Sequence, residues 1–139
     1  MAELKVALEV AQADFERMCV ARRVKLDQAG WDAEDVSTFK VLRDKAESAI
    51  CAGALRIEQD GTPIFTAQGG EQKGKEFKLR PANGASLIAQ DGKVGAARCF
   101  AALAELTKLN VGEFAKLEVP DVDVLSTLYT LFFQRASSI

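Results

Sequence analysis

The sequence predicts an α+β fold: helix-rich, with a small antiparallel sheet (hairpin plus third strand) between an N-terminal helical pair and C-terminal helices. Three observations predict it. Apolar residues recur at spacings of three and four towards both ends of the chain, the period of a helix face. Between them, ALRIEQDGTPIFTA alternates around Asp60-Gly61, a hairpin signature. KEFKLRP then alternates again and supplies a third strand. The 139 residues suffice for one domain with a core, organised as a helical pair (1–53), a sheet (54–81) and a helical region (82–139).

Residues 3–28 read as one long helix, with Leu4, Leu8, Ala11, Phe15 and Met18 on its apolar face. Arg17, Arg22, Arg23 and Lys25 form a basic face, read as solvated. Gly30 breaks the pattern, and Trp31 is expected to close one end of the core. Asp32 is placed to cap a second helix from Ala33 to Cys51, with Glu34 and Asp35 in the first turn where the helix dipole favours acids. Val36, Phe39, Leu42, Ala46 and Ile50 make its buried stripe, and Gly53 stops it.

In the hairpin, Leu55 and Ile57 share one face, and Asp60 and Gly61 can both take positive φ. Pro63 limits pairing and points to an edge strand or a longer turn. QGGEQKGK is a polar loop, and Phe77 and Leu79 point inward from the third strand. A short helix covers about Gly84 to Gln90, and a longer, alanine-rich one about Lys93 to Leu109. A short turn, VGEFAKLE, leads to a final helix opened by Pro120 and Asp121.

Composition narrows function. Net charge is −2, so no long-range field draws the chain to nucleic acid or an anionic membrane. No segment reaches the roughly 20 apolar residues of a membrane helix, and the acid-bearing start does not read as a secretory signal. The expected location is cytoplasmic. With no histidine, Ser-His-Asp and Cys-His catalysis are excluded within the chain. Cys19, Cys51 and Cys99 are odd in number and widely spaced, which suits core thiols rather than disulfides or zinc ligands.

GGEQKGK nearly matches a phosphate-binding loop, but Glu76 stands where the magnesium-binding hydroxyl belongs, and a strand pattern follows. Of the paired acids, Glu34 with Asp35 and Asp121 with Asp123 sit at helix starts, and Asp14 with Glu16 lies on a polar helix face. Asp121 and Asp123 lack the repeated oxygen ligands and glycine of a calcium loop. No catalytic, cofactor-binding or metal-binding residue is assigned, and no cofactor is implied.

The final helix, DVDVLSTLYTLFFQR, is apolar nearly all round. Leu125, Leu128, Tyr129 and Phe132 share a face, while Leu131 and Phe133 fall beside or opposite it. Such a helix is either the centre of the domain or partly a surface for another chain. These six residues are the candidate protein-binding set.

EFKLRPANGASL, then RCFAALAELTKLNVGEFAKLEVPDVDVLSTLYTLF, resembles the tail assembly chaperones of contractile- and long-tailed bacteriophages. The resemblance is carried by a strand ending in Leu79-Arg80-Pro81, a short helix of small residues, and a helix closing on Leu106-Thr107-Lys108-Leu109. A segment from Phe114 to Leu117 follows, then Asp121 introducing the apolar helix from Val122 to Phe133. It covers about residues 54–134, and the first 53 residues fall outside the family pattern.

It implies a non-catalytic protein of the bacterial host cytoplasm. Such a protein coats the tape-measure protein before the tail tube polymerises, and recruits tail-tube subunits. A homo-oligomer is compatible with it; nucleic-acid and membrane partners are not expected. Two other readings stand beside it. One is a structural tail or neck protein retained in the virion, with the apolar helix as a permanent interface. The other is a small enzyme using carboxylate or lysine chemistry, which needs a polar cleft containing acids such as Asp14 or Glu105.

Overall fold

A computed structural model of the chain describes residues 6–135. Among them the helices are α1 (Leu8–Ala21), α2 (Ala33–Cys51), α3 (Gly84–Gln90), α4 (Gly95–Thr107), α5 (Val111–Ala115) and α6 (Val119–Tyr129). The strands β1 (Leu55–Ile57), β2 (Pro63–Thr66) and β3 (Glu76–Lys78) form an antiparallel sheet in the order β1-β2-β3. The fold is the helix-rich α+β class that the sequence predicts. The expected start of the first helix, with Leu4, lies outside the described residues.

Helix ends account for most of the differences from the sequence reading. α1 stops at Ala21 instead of running to residue 28. Arg23 takes the left-handed conformation (φ 58°), and the Val24 N–H folds back to the Cys19 carbonyl at 2.9 Å. This is a Schellman closure, in which the residue after the cap adopts positive φ and the next N–H reaches back over the last turn. α4 ends the same way: Lys108 has φ 59°, and the Leu109 N–H reaches the Ala104 carbonyl. That helix therefore spans Gly95–Thr107, not Lys93 to Leu109, and Val94 lies outside it. α2 uses the same closure with the expected glycine, Gly53 at φ 81°. Its start is also as expected, with the Asp32 carboxylate accepting the Asp35 N–H at 2.8 Å.

The hairpin turn holds one positive-φ residue, Gly61 (φ 88°), not two. The Gly61 N–H bonds to the Glu58 carbonyl and the Glu58 N–H to the Thr62 carbonyl, which makes a three-residue loop with a glycine bulge. A Cβ at Gly61 would run into Ala21. Pro63 also differs from expectation, for it opens the central strand. In the register Ile64↔Lys78, residue 63 lies opposite Leu79. The Leu79 N–H donates to the Pro63 carbonyl at 3.0 Å, but proline has no N–H to return the bond. The Leu79 carbonyl is satisfied instead by Arg22 Nη2 at 2.8 Å.

Arg17 acts similarly, donating to the carbonyls of Glu58 (3.1 Å) and Ile57 (2.7 Å). Two arginines read as solvated therefore tie α1 to the sheet. Buried carbonyls left without donors would cost stability, and these side chains supply the donors.

Apolar side chains from every helix and strand except α3 meet in one core. Phe65 and Phe77 face it from the sheet, with ring centroids 6.4 Å apart, and Phe114 of α5 lies 5.3 Å beyond Phe77. Phe15 of α1 meets Phe39 of α2 edge-on, and Trp31 meets Phe39 edge-on as well. Arg43 of α2 lies over the Phe15 ring and pairs with Glu16 of α1 and Glu47 of α2. Leu8, Val10 and Val20 of α1 are exposed, so its buried stripe is the narrower set Ala11, Phe15, Met18 and Cys19. All three cysteines are free and buried, and burial pushes the Cys19 thiol up to about 12. Among the described residues no helix is long and apolar enough to cross a membrane.

A non-glycine residue held in the left-handed region costs about 1–2 kcal/mol, partly offset on glycine substitution by the freer unfolded chain. Lys108→Gly is therefore expected to stabilise the protein by about 1 kcal/mol or less, read as a higher urea midpoint at unchanged slope. A lower midpoint would show that the Lys108 side chain contributes more than its backbone costs.

Candidate protein interface

The proposed binding helix is built into the core. Leu125, Leu128, Tyr129, Leu131 and Phe132 are all buried, and only Phe133 is half-exposed. α6 packs on α2 and α4. Beyond Tyr129 the chain widens into a π-helical turn, Thr130–Arg135. The wider turn rotates successive side chains less than an α-turn does, so Leu131 and Phe132 both stay inside. The sequence left α6 open between core and interface. Five of the six candidate residues are therefore core in this fold, and Phe133 alone keeps part of its surface exposed.

The opposite arrangement occurs in α3. Its N-cap Asn83 accepts the N–H groups of Ala85 and Ser86, while the Ser86 hydroxyl accepts the Asn83 N–H, a complete capping box. The residues that α3 buries are polar: Ser86 and Gln90. The residues that it exposes are apolar: Leu87 at 63% and Ile88 at 77%. Helices normally do the reverse. Val94, 81% exposed, follows Ile88 by six residues in the link to α4, and Ala96 and Ala97 at the start of α4 are exposed as well.

Hydrogen bonds explain the inversion. The Tyr129 hydroxyl, carried into the core by α6, donates to Gln90 Oε1 at 3.0 Å. The same oxygen accepts Arg98 Nε from α4 at 3.2 Å. Gln90 Nε2 donates to the Ser86 carbonyl at 3.0 Å. Gln90 is thus pinned inward from two helices. With positions 86 and 90 turned to the core, positions 87 and 88 of a helix must turn out.

Sequence reasoning missed this corner because the apolar pattern of GASLIA alone sends Leu87 and Ile88 inward. The available signal was Ser86 and Gln90 at i, i+4, a polar stripe within a short apolar helix. Single exposed apolar residues are ordinary; two adjacent large ones on a helix that buries its polar side make this the candidate surface.

The acids do not gather into a second site. Asp14 pairs with Arg17, Glu16 with Arg43, and Asp123 with Lys45. Asp121 is buried, and its carboxylate accepts the Gln68 backbone N–H at 3.1 and 3.2 Å. The loop from Gly69 to Lys75 does join two strands, and Lys75 and Gln72 dock on Glu113 of α5, at 2.5 and 3.0 Å. The Lys75 hydrogen bond leads the effects that hold the Glu113 carboxyl below its usual range. A groove of about 460 Å³ between α2 and the start of α6 is bordered by Asp44, Asp121 and Asp123. Asp44 pairs with Lys40, so all three acids already have partners. Neither Asp14 nor Glu105 lines that groove. Among the described residues no group of three potential ligands could hold a metal.

No family model, curated protein or solved structure matches the chain.

Tyr129→Phe removes the hydroxyl but leaves Arg98 on Gln90. A loss of about 1 kcal/mol in global stability is expected for the lost hydrogen bond. Hydrogen exchange at the amides of α3 should accelerate more than that of α2, the pattern expected if the hydroxyl holds α3 in place. Equal acceleration everywhere would show that Tyr129 acts only through the core.

Proposed function

We propose that this protein is a non-catalytic phage tail assembly chaperone that binds the tape-measure protein through the corner formed by Leu87, Ile88 and Val94. The observation that carries the binding role is the inverted α3, which exposes its apolar side chains and buries its polar ones. The partner follows from the resemblance of residues 54–134, from the strand ending at Pro81 to the apolar α6.

The physics of the task suits such a corner. A tape measure is a long helical chain with apolar stripes, which must stay covered until tube subunits assemble. A patch of two or three large apolar side chains covers one turn of a partner helix. Its affinity is modest, so that competing tube subunits can displace it, and many copies along the tape measure multiply the effect. Recruitment of tube subunits falls to another surface of the same chain. The setting is the cytoplasm of the bacterial host, and no cofactor is required.

Co-expression with the tape-measure protein encoded nearby tests this reading. Wild type should be captured with the tape measure. Leu87→Asp and Ile88→Asp should each reduce capture at least about tenfold, since a charge placed in an apolar contact lacks a partner. Both side chains are exposed, so circular dichroism and thermal midpoint should stay near wild type. Undiminished capture by both variants would refute the corner, and no capture of wild type would refute the chaperone role.

A further inference from the structure

On the far end of α1, one charged group is left incompletely satisfied. Arg22 Nη2 serves the Leu79 carbonyl, but Nη1 is shut off from solvent with no acceptor, the one such side-chain atom among the described residues. A buried donor without a partner is destabilising, the more so when it is charged. Neither Arg22 nor its neighbour Arg23 forms an ion pair among the described residues. Burial lowers the pKa of Arg22, and Asp60 opposes that effect only from a distance.

Both arginines border a cavity of about 250 Å³, whose other walls are Ala21, Pro81, Ala82 and Phe132. The Arg22 guanidinium lies 5.9 Å from the centre of the Phe132 ring. Arg23 stands at the Schellman position, where glycine would be the less strained choice. The side chain kept there at that cost is a second guanidinium on the cavity wall.

We propose that this cavity is a binding site for one oxyanion group, a carboxylate or a phosphate. A cation would be repelled by both guanidiniums, and an apolar ligand would leave Nη1 unsatisfied. An oxyanion supplies the missing acceptor, because the guanidinium fork matches carboxylate and phosphate oxygens. The cavity is smaller than the roughly 300–1,000 Å³ of sites for drug-sized ligands, which limits the occupant to the charged group and a short body. Binding requires Arg22 to turn so that Nη1, shut off from solvent in this structure, faces the cavity while Nη2 keeps the Leu79 carbonyl. The site is independent of the α3 corner and of the chaperone reading.

The test is an NMR titration of the full chain with inorganic phosphate and, separately, with benzoate, at ionic strength held constant with sodium chloride. Saturable shifts are expected at the amides of Arg22, Arg23, Ala82 and Phe132 and at the Arg22 side-chain Nε–H. Saturation by phosphate alone assigns phosphate, by benzoate alone a carboxylate, and by both a general oxyanion site; each supports the proposal. Arg23→Gln, at an exposed position, should weaken binding about tenfold while the spectrum stays dispersed. Arg23→Lys, which keeps the charge but not the fork, should fall between. Shifts that fail to saturate with either probe, that chloride reproduces, or that Arg23→Gln leaves unchanged would overturn the site.

Discussion

Leu125, Leu128 and Leu131 leave water only because other parts of the chain close around the C-terminal helix. Burying each is worth about 2 kcal/mol, and α6 reaches that only with α2 on one side and α4 on another. The requirement propagates. Closing the core over α6 takes the Tyr129 hydroxyl inside, and a buried hydroxyl needs an acceptor. Gln90 provides it, so α3 must turn its polar side inward. Leu87 and Ile88 are left facing out. The candidate interface is thus a consequence of how the core is satisfied, two helices away from the residues that dominate the sequence.

A second consequence runs through the sheet. Pro63 fixes the start of the central strand but leaves the Leu79 carbonyl without a backbone donor. Arg22 fills the gap and in doing so becomes partly buried. Its second amino group then borders the cavity shared with Arg23 and Phe132. The end of the third strand, the end of α1 and the turn after α6 are therefore linked by one guanidinium. The fold needs Arg22 for its backbone bookkeeping, whereas Arg23 is needed for no contact of that kind.

Much of the architecture was legible where a residue type has one strong local meaning. Asp32 capped α2, Gly53 ended it, and the alternation around Asp60-Gly61 placed the hairpin. The misjudged ends of α1 and α4 have one cause. Arg23 and Lys108 take the left-handed conformation that a sequence advertises only through glycine or asparagine. Pro63 was misplaced because its missing hydrogen bond is supplied by a side chain from another element. The same long-range effect hid the role of Arg17 and Arg22, whose acceptors lie 40 or more positions away in sequence. The candidate site was the least legible part. A helix apolar all round advertises burial and binding alike, and only the packing of the other helices separates the two.

The proposed interface is α3 and the start of α4, not α6. Hydrogen–deuterium exchange of the chain with and without the tape-measure protein measures this directly. The account predicts new protection centred on residues 84–98, with α6 unchanged because its amides are already buried. Protection confined to α6 and the turn beyond it, with none at residues 84–98, would contradict it.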